Sequence, residues 1–155
     1  GPIDELREPL KKFARNLGVG FQILNDLQDW KLDEANKCTV GADLFGGRPT
    51  LLWALACEAL SEDEVEELLR LAQDDSGDPS VRLEEARNLY CRADVFGKAL
   101  QLVDKHRLRA LAAIEEIEDE RLQHLLQYLL ETVWDRPDES EFQAAPVVIP
   151  LTLPS

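Results

Sequence analysis

Three side chains, Asn25, Asp26 and Asp29, hold the clearest chance of chemistry in this chain. Read as a helix, the stretch Phe21-Gln22-Ile23-Leu24-Asn25-Asp26-Leu27-Gln28-Asp29-Trp30 puts all three on one face, because residues three and four apart are helix-surface neighbours. Gln22 precedes them by one turn and Asp33 follows by one. Oxygen-bearing side chains inside an apolar segment are costly to bury without a cation or hydrogen-bond donors. Magnesium suits such a face, since it takes oxygen ligands and is held by one or two carboxylates together with substrate phosphates. Alone, an Asn-Asp-x-x-Asp pattern reads better as a solvated polar face, and the apolar surroundings shift that balance only moderately.

A second cluster follows about twenty residues later. Gly46-Gly47-Arg48-Pro49-Thr50 ends a loop and opens a helix. Glycines let the backbone approach an anion, a helix start offers free N–H donors, and the planar fork of Arg48 suits phosphate oxygens. A glycine-rich turn with a solvent-facing arginine is the plainer alternative. Taken together, the clusters describe one arrangement: acids hold magnesium, magnesium holds a diphosphate, and a basic side chain neutralises the remainder.

The elements that must position these residues are helical. Ile3, Leu6, Leu10, Phe13, Leu17, Phe21, Leu24, Leu27 and Lys31 recur at steps of three and four, predicting a long helix from Ile3 to about Lys31. Pro9 interrupts the run and offers a second helix start, with Ile3–Glu8 as a separate turn. Gly18 and Gly20 read as sites of close approach by a neighbour. Residues 33–49 read as a functional loop. Helices are expected over Thr50–Leu60, from a capping box at Ser61 and Glu64 to Ala72, over Ser80–Leu89, Arg92–Ile117 and Arg121–Trp134. Asp78 or Ser80 caps the helix beside Pro79. Residues 3–136 form one unit, and 137–155, with Pro146, Pro150 and Pro154, read as an extended tail. The fold class is all-α.

Composition narrows the function. A net charge of −14 over 155 residues argues against nucleic acid as a main partner, because phosphate backbones demand basic patches. No apolar run reaches the length of a membrane span. Cys38, Cys57 and Cys91 are too few and too scattered for a disulfide framework or a zinc site, and read as reduced thiols of a cytoplasmic protein. The chain has no methionine, and Gly1-Pro2 reads as a processing scar on a piece of a longer protein.

Gly18-Val19-Gly20-Phe21-Gln22-Ile23-Leu24-Asn25-Asp26-Leu27-Gln28-Asp29-Trp30, followed by Gly41-Ala42-Asp43-Leu44-Phe45-Gly46-Gly47-Arg48-Pro49-Thr50, resembles the trans-isoprenyl diphosphate synthase (polyprenyl synthetase) family. That family's second aspartate-rich motif is Phe-Gln-x-x-Asp-Asp-x-x-Asp, followed by a Gly-x-Asp-Leu-x-x-Gly-Lys-x-Thr loop. The similarity extends over about Leu6 to Arg136. It implies an all-α barrel around a deep cavity, in which Mg2+ bridges two aspartate motifs to an allylic diphosphate. Ionisation gives an allylic carbocation, which isopentenyl diphosphate captures before a proton is lost. By resemblance, Asp26 and Asp29 bind magnesium and Asn25 fills the first acidic position. Arg48 replaces the diphosphate-binding lysine, Gln22 faces the cavity, and Asp43 and Thr50 order the site.

The departures shape the expectation. Asn25 removes one negative charge, and Lys37 or Cys38 stands near a further loop lysine. The first aspartate-rich motif is missing, and the exposed acids of Asp74-Asp75-Ser76-Gly77-Asp78 cannot replace it. The chain therefore reads as a C-terminal half, inactive alone, that needs the N-terminal half or a partner subunit and is expected to form a homo-oligomer (dimer). Two alternatives stand beside prenyl transfer: a class I terpene synthase or cyclase, and a non-catalytic regulatory subunit. His106 and His124 read as surface residues, and Trp53 and Trp134 as core.

Overall fold

A computed structural model of the chain describes residues 2–31, 50–73 and 77–143. Among them are six α-helices, one 3-10 turn and no strand, in agreement with the all-α expectation. In chain order these are α1 (Pro2–Gln28), α2 (Leu51–Ala59), α3 (Glu62–Gln73), α4 (Pro79–Arg92), α5 (Val95–Glu115), α6 (Glu120–Val133) and the 3-10 turn Glu139–Phe142.

Helix α1 runs 27 residues, roughly 40 Å at 1.5 Å per residue. Pro9 does not divide it. A proline removes one helical hydrogen bond and crowds the preceding turn, a cost of about 3 kcal/mol. Here Pro9 is buried in the apolar stripe with Phe13, Ile23, Leu24 and Leu27, so packing outweighs the local penalty. Phe21 departs from the predicted stripe and is exposed, whereas Gly20 is buried. A Cβ on Gly20 would run into the benzo edge of Trp134, the close approach expected at these glycines; Gly18 faces open space.

The hub is α5. Its buried residues Phe96, Ala99, Leu100, Val103, Ala110 and Ile114 meet α1, α2, α4, α6 and the 3-10 turn, with α1 as the main partner. The break before it falls at Ala93–Asp94 rather than ahead of Arg92, because α4 continues to Arg92. Asp94 takes the left-handed conformation (φ 53°), which Asp tolerates better than most residues. Gly97 makes room for it: a Cβ there would lie 2.5 Å from Asp94 Oδ1.

Local signals hold the other boundaries. Ser61 Oγ accepts from the Glu64 N–H at 3.3 Å, and Glu64 Oε1 accepts from the Ser61 N–H at 3.2 Å, which completes the expected capping box. Asp78 caps α4 by accepting from the Ser80 N–H, and Asp119 caps α6. The segment read as the start of an extended tail instead enters the core. Arg136 makes two hydrogen bonds to Asp104 on α5, and Asp138 opens a capping box with Glu141. Phe142 is fully buried, stacked on Phe96 with ring centroids 5.0 Å apart. Residues 144–155 lie outside the described part.

Some apolar surface is left uncovered. Leu125, Tyr128 and Leu129 share the outer face of α6, and Leu108 is exposed on α5. No helix among the described residues is long and apolar enough to cross a membrane. Trp134 is buried and Trp53 half-buried against the core, as expected.

Candidate metal centre

The acids occupy the final turns of α1. Ile23, Leu24 and Leu27 turn inward, and Asp26 follows them to 9% exposure. Gln22, one turn earlier, donates from Nε2 to Asp26 Oδ1 at 3.1 Å. A neutral donor fixes a carboxylate's orientation while leaving its charge uncompensated by that contact. Asn25 is exposed beside them. Asp29 is half-buried in the turn that closes α1, where the Trp30 N–H reaches back to the Leu27 carbonyl at 3.0 Å.

This end of α1 is built for positive charge. A helix C-terminus carries roughly −0.5 elementary charge, and basic side chains usually answer it. The last turn of α1 has none. The answer comes from α4: Arg87, 7% exposed, donates from Nη1 to the Trp30 carbonyl at 2.7 Å and to the Phe142 carbonyl at 2.9 Å. Its guanidinium lies 5.5 Å from the centroid of the Trp30 ring. Burial pulls the Arg87 pKa below its ordinary value, opposed by the nearby Cys91 and Glu84. Trp30 in turn packs against Tyr90 (4.7 Å) and Phe96 (6.1 Å), so one aromatic cluster joins α1, α4, α5 and the 3-10 turn. Burial also raises the Tyr90 pKa, keeping its hydroxyl neutral.

Sequence periodicity places Gln22 and Asp26 one turn apart on α1, where they hydrogen-bond, but it does not reveal Arg87. A lone arginine on an amphipathic helix looks like a solvent contact, and nothing in its spacing signals burial. Thr50 is the N-cap of α2, its Oγ1 accepting from the Trp53 N–H at 3.2 Å. The hydroxyl proton stays available as a donor at the exit of the 32–49 stretch. Asp43 and Arg48, with Asp33, Lys37 and Cys38, lie outside the described residues.

As a donor set, two carboxylates one turn apart and a neighbouring amide oxygen fit a hard cation such as magnesium better than a soft one. They fit it as part of a site. Among the described residues no group of three or more His, Cys, Asp or Glu side chains converges. Of the two histidines expected at the surface, His124 is exposed, whereas His106 is half-buried and shares a hydrogen bond with Asn16 across α1 and α5 (2.8 Å). The Asn16 amide donates to the Lys12 carbonyl, so its oxygen faces the ring and His106 Nδ1 carries the proton. A cleft of about 400 Å³ lies elsewhere, between α3 and α4. Two of its acids pair with arginines, Glu64 with Arg92 at 2.7 Å and Glu67 with Arg70, in an exposed ion-pair groove.

Comparison with known proteins adds a second line. All-trans-nonaprenyl-diphosphate synthase (geranyl-diphosphate specific) of Rhodobacter capsulatus is 28% identical over 133 residues, covering 85% of this chain and 40% of that protein. The short chain isoprenyl diphosphate synthase of Methanocaldococcus jannaschii is 33% identical over 85 residues, 54% of this chain and 25% of that protein. The chain thus spans well under half the length of these curated relatives. No solved structure matches it significantly. The polyprenyl synthetase family model matches residues 2–89, a span that runs from the start of α1 through its acidic end to Arg87 on α4. With more than half its length inside that match, the chain belongs to the polyprenyl synthetase family.

Proposed function

We propose that this chain supplies the second metal and diphosphate half-site of a magnesium-dependent prenyl diphosphate synthase. The reaction is condensation of an allylic diphosphate with isopentenyl diphosphate in isoprenoid biosynthesis. One observation carries the reading: a nearly buried Asp26, oriented by Gln22, sits a turn from Asp29 at the negative end of a long helix. Asp26 and Asp29 would hold magnesium, with the Asn25 oxygen as a weaker third donor. Bound magnesium supplies positive charge that stabilises the departing diphosphate. Gln22 holds the Asp26 carboxylate in one orientation, the apolar wall of Ile23, Leu24 and Leu27 limits water behind it, and Arg48 takes diphosphate oxygens. Asp43 and Thr50 order the segment between.

The remaining ligands come from the part of the family fold that this chain does not span, either an N-terminal half or a partner subunit. Alone, the chain is inactive. The test is turnover of an allylic diphosphate with isopentenyl diphosphate by the complete protein, with products read by mass spectrometry. Extension by five carbons, abolished by Asp26→Ala, supports the reading. A cyclised hydrocarbon would make the protein a terpene cyclase instead. Asn25 favours one further reading, a non-catalytic subunit, because it leaves the half-site one charge short. Absence of turnover, with co-purification of an active synthase, would establish that role.

A further inference from the structure

The half-site stands on a turn that α1 does not secure by itself. Asp29 lies beyond Gln28, the last residue of α1, in a closing turn held by the Trp30 N–H to the Leu27 carbonyl and a longer 3.4 Å contact from the Lys31 N–H to the Gln28 carbonyl. Helix ends fray, so a ligand on a closing turn gains from a second element that holds the turn. We infer that Arg87 is the positioning residue of the half-site: reaching from α4, it clamps the closing turn of α1 and thereby holds Asp29 and Asp26 in register. The inference rests on the half-site reading given above.

Three observations support the clamp. Arg87 Nη1 donates to the Trp30 carbonyl, two residues beyond the end of α1, and the same nitrogen donates to the Phe142 carbonyl. The guanidinium also lies against the Trp30 ring, so the residue next to Asp29 is gripped through both backbone and side chain. Among the described residues no carboxylate lies within ion-pair distance of Arg87, so its buried charge is not spent on a structural salt bridge. Replacing buried charged groups by well-packed hydrocarbon of similar volume is often neutral or stabilising, so stability alone does not account for Arg87 here. Leu89 and Ala86 beside it show that α4 can fill this interior with hydrocarbon.

Charge and position predict opposite effects on metal binding, which makes the role testable. A guanidinium held at the Trp30 carbonyl, beyond the same end of α1, repels a divalent cation bound there, so removing charge alone tightens binding, whereas losing position weakens it. The measurement is a Mn2+ titration of the 15N-labelled chain, read as paramagnetic broadening of the Gln22–Trp30 amides, alongside hydrogen exchange at the Trp30 and Lys31 amides. For Arg87→Met the expected result is a Mn2+ midpoint about 10-fold higher, as for other groups that orient metal ligands, with faster exchange at both amides. Arg87→Lys keeps the charge and one donor and should fall between Arg87→Met and wild type; it decides the question if Arg87→Met does not fold. Unchanged exchange, or a midpoint equal to or below that of wild type, would overturn the role. Broadening that persists unaltered in Asp26→Ala and Asp29→Ala would instead remove the half-site reading and the positioning role with it, leaving the exchange data to report the clamp alone.

Discussion

Two acidic regions of this molecule are put together in opposite ways. Between α3 and α4, Glu64 pairs with Arg92 across an open groove, and Glu67 pairs with Arg70 one turn along α3. Exposed pairs of this kind contribute little to stability and ask for no ligand. At the end of α1, Asp26 is nearly buried, the neutral Gln22 donates to it, and the last turn carries no basic residue. The cation that meets this end, Arg87, goes to backbone carbonyls and an aromatic ring. The lesson is that acid count alone does not mark a site. Burial, helix-end polarity and the chemistry of the neighbours separate a solvated groove from the half-site we propose at the end of α1.

The contrast is broken most severely by removing what pins the α1 end. Phe142→Ala should cost about 3 kcal/mol or more in urea unfolding, since it empties a fully buried ring site stacked on Phe96. A loss near zero would return 137–143 to the status of a loose tail. Gly20→Ala should cost about 1–3 kcal/mol, because the added methyl must displace the buried Trp134 ring. An unchanged midpoint there would mean that the α1–Trp134 contact is not tight. The α3–α4 groove should yield much less. Its Glu64 carboxyl is held below the usual value of 4.5, first by the Arg92 hydrogen bond and then by Ser61. A depressed carboxylate pKa stabilises above the unfolded value, and that contribution is lost as pH falls through the lower folded value. The unfolding midpoint of wild type should therefore drop slightly more steeply below pH 4.5 than that of Glu64→Gln. Coincident curves would remove Glu64 from the balance.

Much of this was legible in the residues. Apolar spacing marks each helix, Ser61 and Glu64 announce their cap, and Gln22 and Asp26 share a face of α1 because residues four apart are neighbours on a helix. What escapes is decided by tertiary contact. Pro9 looks like a break until its burial against the α1 stripe is known. The Ala93–Asp94 turn contains neither glycine nor proline, and its left-handed residue is an aspartate that capping patterns treat as ordinary. Phe21 fits the heptad-like spacing yet faces out, since Gly20 beside it receives Trp134. Phe142 belongs to a four-residue turn too short to show a period. Arg87 is the sharpest case: burial, carbonyl partners and ring contact all come from other elements, and none leaves a trace in α4 itself.

The central claim is that α1 presents a metal and diphosphate half-site whose acids differ in kind from those of the α3–α4 groove. Calorimetry of magnesium-dependent diphosphate binding by the complete protein tests it most directly, with Asp26→Ala and Asp29→Ala set against Glu67→Gln. Each α1 substitution should weaken binding by about 10-fold or more, as loss of a charged metal ligand does, and Glu67→Gln should leave it unchanged. Unchanged affinity in both Asp26→Ala and Asp29→Ala would contradict the account.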